Sequence, residues 1–397
     1  MNINLTLKTL ITVALLSCFS CVVAASTDKN TNAPEVSAAD AKVSFWDMSL
    51  LEKAYIDTTP GARKDGQAVG DLVENGGNKA MILQLAQEMA DQKHGKYDSL
   101  LIARNGKLIF ESYFMRGRVN LHHGQASGAK ALTSLILGRA IQLGYLTMDD
   151  LDKPLVSFLK DLDPTKLVKG AEKITLHKAL IMHGGLSITK EKSKEFEKPS
   201  SKLKGQGFVQ ELLENSAPIT KESQIYLYGN YNPVLVMQAI DAIVPGTAED
   251  FIKKELLDKM GITNYHWKNG VSGLPEAGWR VSMTSRDMLK WGTLVIDKGK
   301  WQGEQLISAD YLAKAISNIT KPTQDWMPKT YNYGYFFYQT DITVGDKSYN
   351  TNFAWGGGGQ YIISVEELDL SVVITGHDRD DAIFTQFSKR ILPAFVE

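Results

Sequence analysis

Past residue 21 the sequence has no cysteine; its two, Cys18 and Cys21, sit in the first segment. A chain cleaved just after that segment would have no disulfide, no thiolate metal site and no cysteine nucleophile. An excess of one charge is also missing. The 44 basic and 45 acidic residues leave a net charge of −1, with no basic stripe for nucleic acid and no acidic tail. A small or neutral molecule is the partner this implies. The chain has no internal repeat, no His-x-x-x-His pair and no Gly-x-Ser-x-Gly elbow. No Gly-Lys-Ser/Thr follows the run Gly356–Gly359, so it is not a phosphate loop. Neither metal nor cofactor is expected, and His122, His123, His183 and His377 read as structural or rim residues.

A membrane-length apolar run is absent too. Thr9 to Val23 is mainly apolar but short, follows MNINLTLK and precedes VVAAS, where small residues permit cleavage after Ala24 or Ala25. Residues 1–25 therefore read as an export signal. Leu15-Leu16-Ser17-Cys18 also resembles a lipobox, so a membrane partner is expected only if Cys18 is lipidated. Residues 26–44 are small, polar and aperiodic, which predicts a disordered spacer. The folded domain is expected over 45–397.

Within it, Asn78 predicts a helix cap, with Met81, Leu85 and Met89 forming one stripe up to about Lys93. SLLIARNGKLIFESYF (99–114) predicts a hairpin, because Asn105-Gly106 fits a type I′ turn. Residues 127–143 have helical periodicity, with Gly144 as a C-cap. Between 145 and 290 the pattern predicts helices near 174–182, 206–215 and 232–243, no strand pair, and a charged loop over 189–207. A further helix begins near Ser285. Strand character returns at 331–339, 359–365 and 368–377, before a last helix over about 380–392.

The tetrad Ser127-Gly128-Ala129-Lys130 raises the question of chemistry. Ser-x-x-Lys occurs five times, starting at Ser26, Ser127, Ser157, Ser187 and Ser201, so spacing alone selects none of them. A serine hydroxyl needs a base, and a lysine serves only where burial or a neighbouring cation discourages its charge. Residues three apart on a helix share a face, so the lysine must sit on a buried helix. Only Ser127 is followed by several apolar turns. Otherwise Ser127 is a helix cap and Lys130 a surface lysine.

Two further motifs stand in order downstream: Tyr228-Gly229-Asn230 and Trp355-Gly356-Gly357. With the early hairpin and ITLHKALIMHGGL (174–186), they make the chain resemble the serine β-lactamase-like superfamily. The branch it is most similar to holds class C β-lactamases, family VIII esterases and 6-aminohexanoate-dimer hydrolase. The resemblance runs from about residue 97 to the C-terminus. It implies a β-lactamase/transpeptidase-like α/β (α+β) fold, an antiparallel sheet flanked by helices, with a helical subdomain over about 145–290. It also implies that Ser127 is an acylated nucleophile, Lys130 its base and Tyr228 a proton shuttle. Asn230 would bind the substrate amide or Lys130, Trp355 and Gly357 would line the substrate site, and Gly358 would join Ser127 in an oxyanion hole.

Trp355 departs from the lysine that many β-lactamases and transpeptidases carry there. It suits an apolar or aromatic acyl group and disfavours a substrate carboxylate at that point. Gly128, Ala129 and Ala131 replace residues that often carry hydroxyls, leaving open what lowers the pKa of Lys130. With the export signal, the resemblance leads to an exported serine hydrolase acting on an ester or small amide. The alternatives are a β-lactamase or DD-peptidase, and a non-catalytic penicillin-binding scaffold.

Overall fold

The Asn105-Gly106 turn forms as expected: both residues take positive φ, 51° and 69°, and join the antiparallel strands Tyr97–Arg104 and Lys107–Tyr113. The structure, a computed structural model, describes residues 32–378 and 382–396. The signal segment and Cys18 lie outside them. One compact unit covers Ala33–Glu397.

The hairpin lies toward one edge of a nine-stranded sheet. On one side Lys107–Tyr113 pairs with Tyr55–Asp57. On the other, Tyr97–Arg104 pairs with the last strand, Leu370–Gly376, bringing Ile374 opposite Leu100 and Val372 opposite Ile102. Gln360–Val365, Lys347–Gly356, Tyr338–Val344 and Asn332–Tyr333 follow in order. Pairing is antiparallel except at Ala68–Val69, which runs parallel to Lys107–Leu108. Every residue of Gln360–Val365 and Leu370–Gly376 is buried, as expected for strands covered on both faces. Ser285–Ile296 packs on these two strands, while Lys79–Ala90 meets the C-terminal turn Phe387–Ile391. Asn78 caps Lys79–Ala90 by accepting from the Met81 N–H.

Three expectations need correction. Residues 145–290 are not free of strands: Tyr265–Trp267 and Val281–Met283 pair, and the latter also pairs with His123–Gly124. These strands are too short to show a period. Residues 189–207 are not simply a loop. Thr189 caps the helix Lys190–Phe196, and Phe196 and Leu203 bury against Phe208 and Leu212. Two apolar anchors are enough there. The spacer assigned to 26–44 packs from Ala33 onward. Its polar groups are paired, with Asp40 bonded to Ser37 and Ser49 and the Val36 N–H donating to Asn120. Composition alone does not reveal such pairing.

Candidate active site

Ser127 lies in a single 3₁₀ turn, Ala126–Gly128, directly ahead of the helix Ala129–Gln142. Its hydroxyl caps neither element, so the capping alternative fails. Ala126 just before it has φ 45°, a left-handed conformation uncommon outside glycine and often found at functional sites. Every residue of the helix from Ala129 to Ala140 is buried. The buried apolar helix that singled out this tetrad is therefore present.

Lys130 is 1% exposed. Its Nζ stands 3.1 Å from Ser127 Oγ and 3.0 Å from the Gly278 carbonyl. Both partners are neutral oxygens. Burial lowers its pKa to about 7, against the opposing pull of Glu276. No flanking hydroxyl is needed for this. Asn230 is not a hydrogen-bond partner of Lys130 here: it is exposed and stands at the N-terminus of Tyr231–Ile243.

The Tyr228 ring lies 4.9 Å from Lys130 Nζ, and its hydroxyl hydrogen-bonds Ser127 and Tyr338. Burial raises its pKa above the ordinary tyrosine value, tempered by those two hydrogen bonds. It is a protonated donor at neutral pH. Gly357 and Gly358 form the turn between Lys347–Gly356 and Gln360–Val365, and Gly358 takes φ 94°, a conformation glycine adopts without strain. The turn is tied down. Gln360 Nε2 donates to the Gly358 carbonyl at 3.2 Å and also to that of Gly376, while the Asp378 N–H donates to Gly358 at 3.2 Å. Trp355 stands in an aromatic wall, with Trp326 at 5.6 Å and Tyr338 at 5.4 Å between ring centroids. Trp326 also meets Tyr228 at 5.8 Å. Beside Ala126, Gly357 and Gly358 opens a cavity of about 830 Å³.

The profile of the family described as Beta-lactamase matches residues 82–382, well over half of the chain. The chain belongs to the Beta-lactamase family. No curated protein sequence matches it. Among solved structures, a Bacillus anthracis protein provisionally designated a 6-aminohexanoate-dimer hydrolase is 15% identical, with TM-score 0.59, covering 92% of this chain and 96% of that one. A class C β-lactamase is 14% identical, with TM-score 0.61, covering 79% and 95%. A penicillin-binding protein from Bacillus halodurans is 16% identical, with TM-score 0.57, covering 78% and 99%. At such identities these likenesses show the fold alone. The β-lactamase/transpeptidase-like architecture is therefore as expected.

On this Beta-lactamase-family scaffold the structure also gathers residues that sequence patterns did not. Tyr338, Trp326, Gly278 and Gln360 belong to no motif, and only folding brings them to the site. Asp98, His123 and His377 also converge, their ligand atoms within 4.8 Å of one another. Sequence separation hid this group, which was read as unconnected histidines. Among the described residues it is the one set with the composition to hold a cation. As it stands, one Asp98 oxygen faces His123 Nε2 at 3.1 Å and His377 Nε2 at 2.9 Å. Burial would raise the Asp98 pKa, but hydrogen bonds and charge from both histidines outweigh it and hold it near 2. The rings thus compensate a buried carboxylate beneath the cavity. His183 is structural, bonded to the Gln224 carbonyl and Thr320 Oγ1.

Proposed function

We propose that this protein is an exported serine hydrolase that cleaves an ester or small amide through an acyl-enzyme on Ser127. One observation carries the reading: a buried lysine stands 3.1 Å from the serine hydroxyl with no carboxylate bound to it, and burial lowers its pKa to about 7. Neutral Lys130 takes the Ser127 proton as Oγ bonds to the substrate carbonyl carbon. The oxyanion then lies near the Ser127 and Gly358 N–H groups. Loss of one such donor typically costs about 10²–10³ in rate. Collapse breaks the bond to the leaving oxygen or nitrogen, and the proton passes through Tyr228 to the departing group. Water then attacks the acyl-enzyme by the reverse proton route, and Oγ is restored.

Tyr228 adjoins Trp326, which in turn meets Trp355, so the aromatic wall flanks the leaving group and not, as Trp355 first suggested, the acyl group. Export rests on the Thr9–Val23 run and the small residues at Ala24 and Ala25. The test is intact mass spectrometry after fluorophosphonate treatment of wild type and Ser127→Ala. One adduct on wild type and none on the variant supports the nucleophile; labelling that survives the substitution overturns it. The fold also accommodates a β-lactamase or DD-peptidase, and rapid nitrocefin turnover would favour that reading.

A further inference from the structure

The cavity beside Gly357 and Gly358 has walls that the chemistry at Ser127 does not use, and their charge is one-sided. Lys268, Arg280 and His266 line it, and no carboxylate does. Lys268 and Arg280 face each other at the open end of the Tyr265–Trp267 and Val281–Met283 pair, where the Lys268 N–H donates to the Arg280 carbonyl at 3.1 Å. Like charges placed opposite each other on paired strands are destabilising. Neither side chain forms an ion pair among the described residues. Arg280 also takes a left-handed φ of 63°, and its guanidinium lies 4.4 Å from the centre of the Trp279 ring. Such a backbone is strained and persists where surrounding structure enforces it. Lys268 and Arg280, the latter against the Trp279 ring and within electrostatic range of Glu276, both line space large enough for a drug-sized ligand.

The direction of approach follows from the site. Tyr228, Trp326 and Trp355 do not line this cavity, whereas Ala126, Gly357 and Gly358 do. With Tyr228 protonating the leaving group, the acyl chain is the part directed into the cavity. We propose that the cavity is the acyl site and takes an acyl group ending in a carboxylate, held by Lys268 and Arg280. This rests on the serine hydrolase reading above.

The test compares two p-nitrophenyl esters of equal acyl length, the adipate half-ester and the hexanoate, on the mature protein. The half-ester should show kcat/KM about tenfold higher at low salt, and its advantage should shrink as ionic strength rises. Lys268→Glu with Arg280→Glu should bring the ratio below one. Lys268→Glu alone, at an exposed position, gives the same direction if the double variant does not fold. Equal kcat/KM for the two esters, or a preference that survives charge reversal, overturns the proposal. Hexanoate turnover and Ser127 labelling without an adipate preference overturn this inference alone. No labelling and no turnover of either ester overturn the serine hydrolase reading along with it.

Discussion

Among the described residues two lysines are fully buried, and their surroundings set them to different tasks. Lys130 is 1% exposed and Lys290 is 0%. Each follows a short polar residue by three positions on a helical path, and each touches one backbone carbonyl, Gly278 at 3.0 Å and Gly261 at 3.2 Å. The difference is the residue three before. For Lys290 it is Asp287, whose Oδ1 lies 2.8 Å from Nζ; for Lys130 it is Ser127, at 3.1 Å. A carboxylate holds a buried ammonium in place. A hydroxyl does not, so burial acts on Lys130 unopposed at hydrogen-bond range. One unit of charge separates a structural ion pair from a candidate base.

Removing either member at the serine end should have the largest effect. Ser127→Ala or Lys130→Ala should lower p-nitrophenyl ester hydrolysis by about 10³-fold or more; rates within tenfold of wild type would break the assignment. Tyr228→Phe should lose about 10²–10⁴-fold, as expected when a general acid is removed, with more loss for poor leaving groups than for p-nitrophenol.

Stability should then separate the two lysines by sign. Lys290→Met leaves Asp287 buried without its partner and should cost about 3–5 kcal/mol in a urea melt, whereas Lys130→Met removes a buried, unpaired amine and should be neutral or stabilising. Loss of stability in both would erase the contrast. Proton linkage sharpens it. Folding lowers the Lys130 pKa from about 10.4 to about 7, so between those values the unfolded chain binds the extra proton. Wild-type stability should therefore climb from about pH 7 to pH 10 relative to Lys130→Met, while below pH 7 the full burial penalty remains. A flat difference across that window would count against a depressed Lys130. The smallest effect is expected at Gln360, which touches no reacting atom. Gln360→Ala should lower kcat about 10–10²-fold, with KM changed far less, by loosening the Gly358 turn. An equal rise in KM would point to substrate contact instead.

The contrast also explains what the sequence could show. The tetrad at Ser127 was legible because a long apolar helix follows it, and the hairpin because Asn105-Gly106 permits few other turns. Tyr228 and Trp355 were legible through the resemblance. The partners that set their chemistry were not. Gly278 reaches Lys130 with a backbone carbonyl, which leaves no side-chain trace. Tyr338 lies in the strand run 331–339 and Trp326 in no motif, and only the folded sheet brings them to the site. Asp98, His123 and His377 lie apart in the chain: the pairing of Tyr97–Arg104 with Leu370–Gly376 brings Asp98 to His377, and His123 arrives from the separate strand pair with Val281–Met283. Likewise, Lys268 and Arg280 read as two ordinary surface cations until a three-residue strand pair sets them face to face.

The account stands or falls on the proton of Lys130. The direct measurement is the rate of Ser127 phosphonylation by a fluorophosphonate, with loss of fluoride, as a function of pH, followed by intact mass. The account predicts a rate that rises tenfold per pH unit below about 7 and levels above it, with this limb absent in Lys130→Met. A rate still climbing toward pH 10, where an ordinary lysine titrates, or a limb that persists without Lys130, would contradict it.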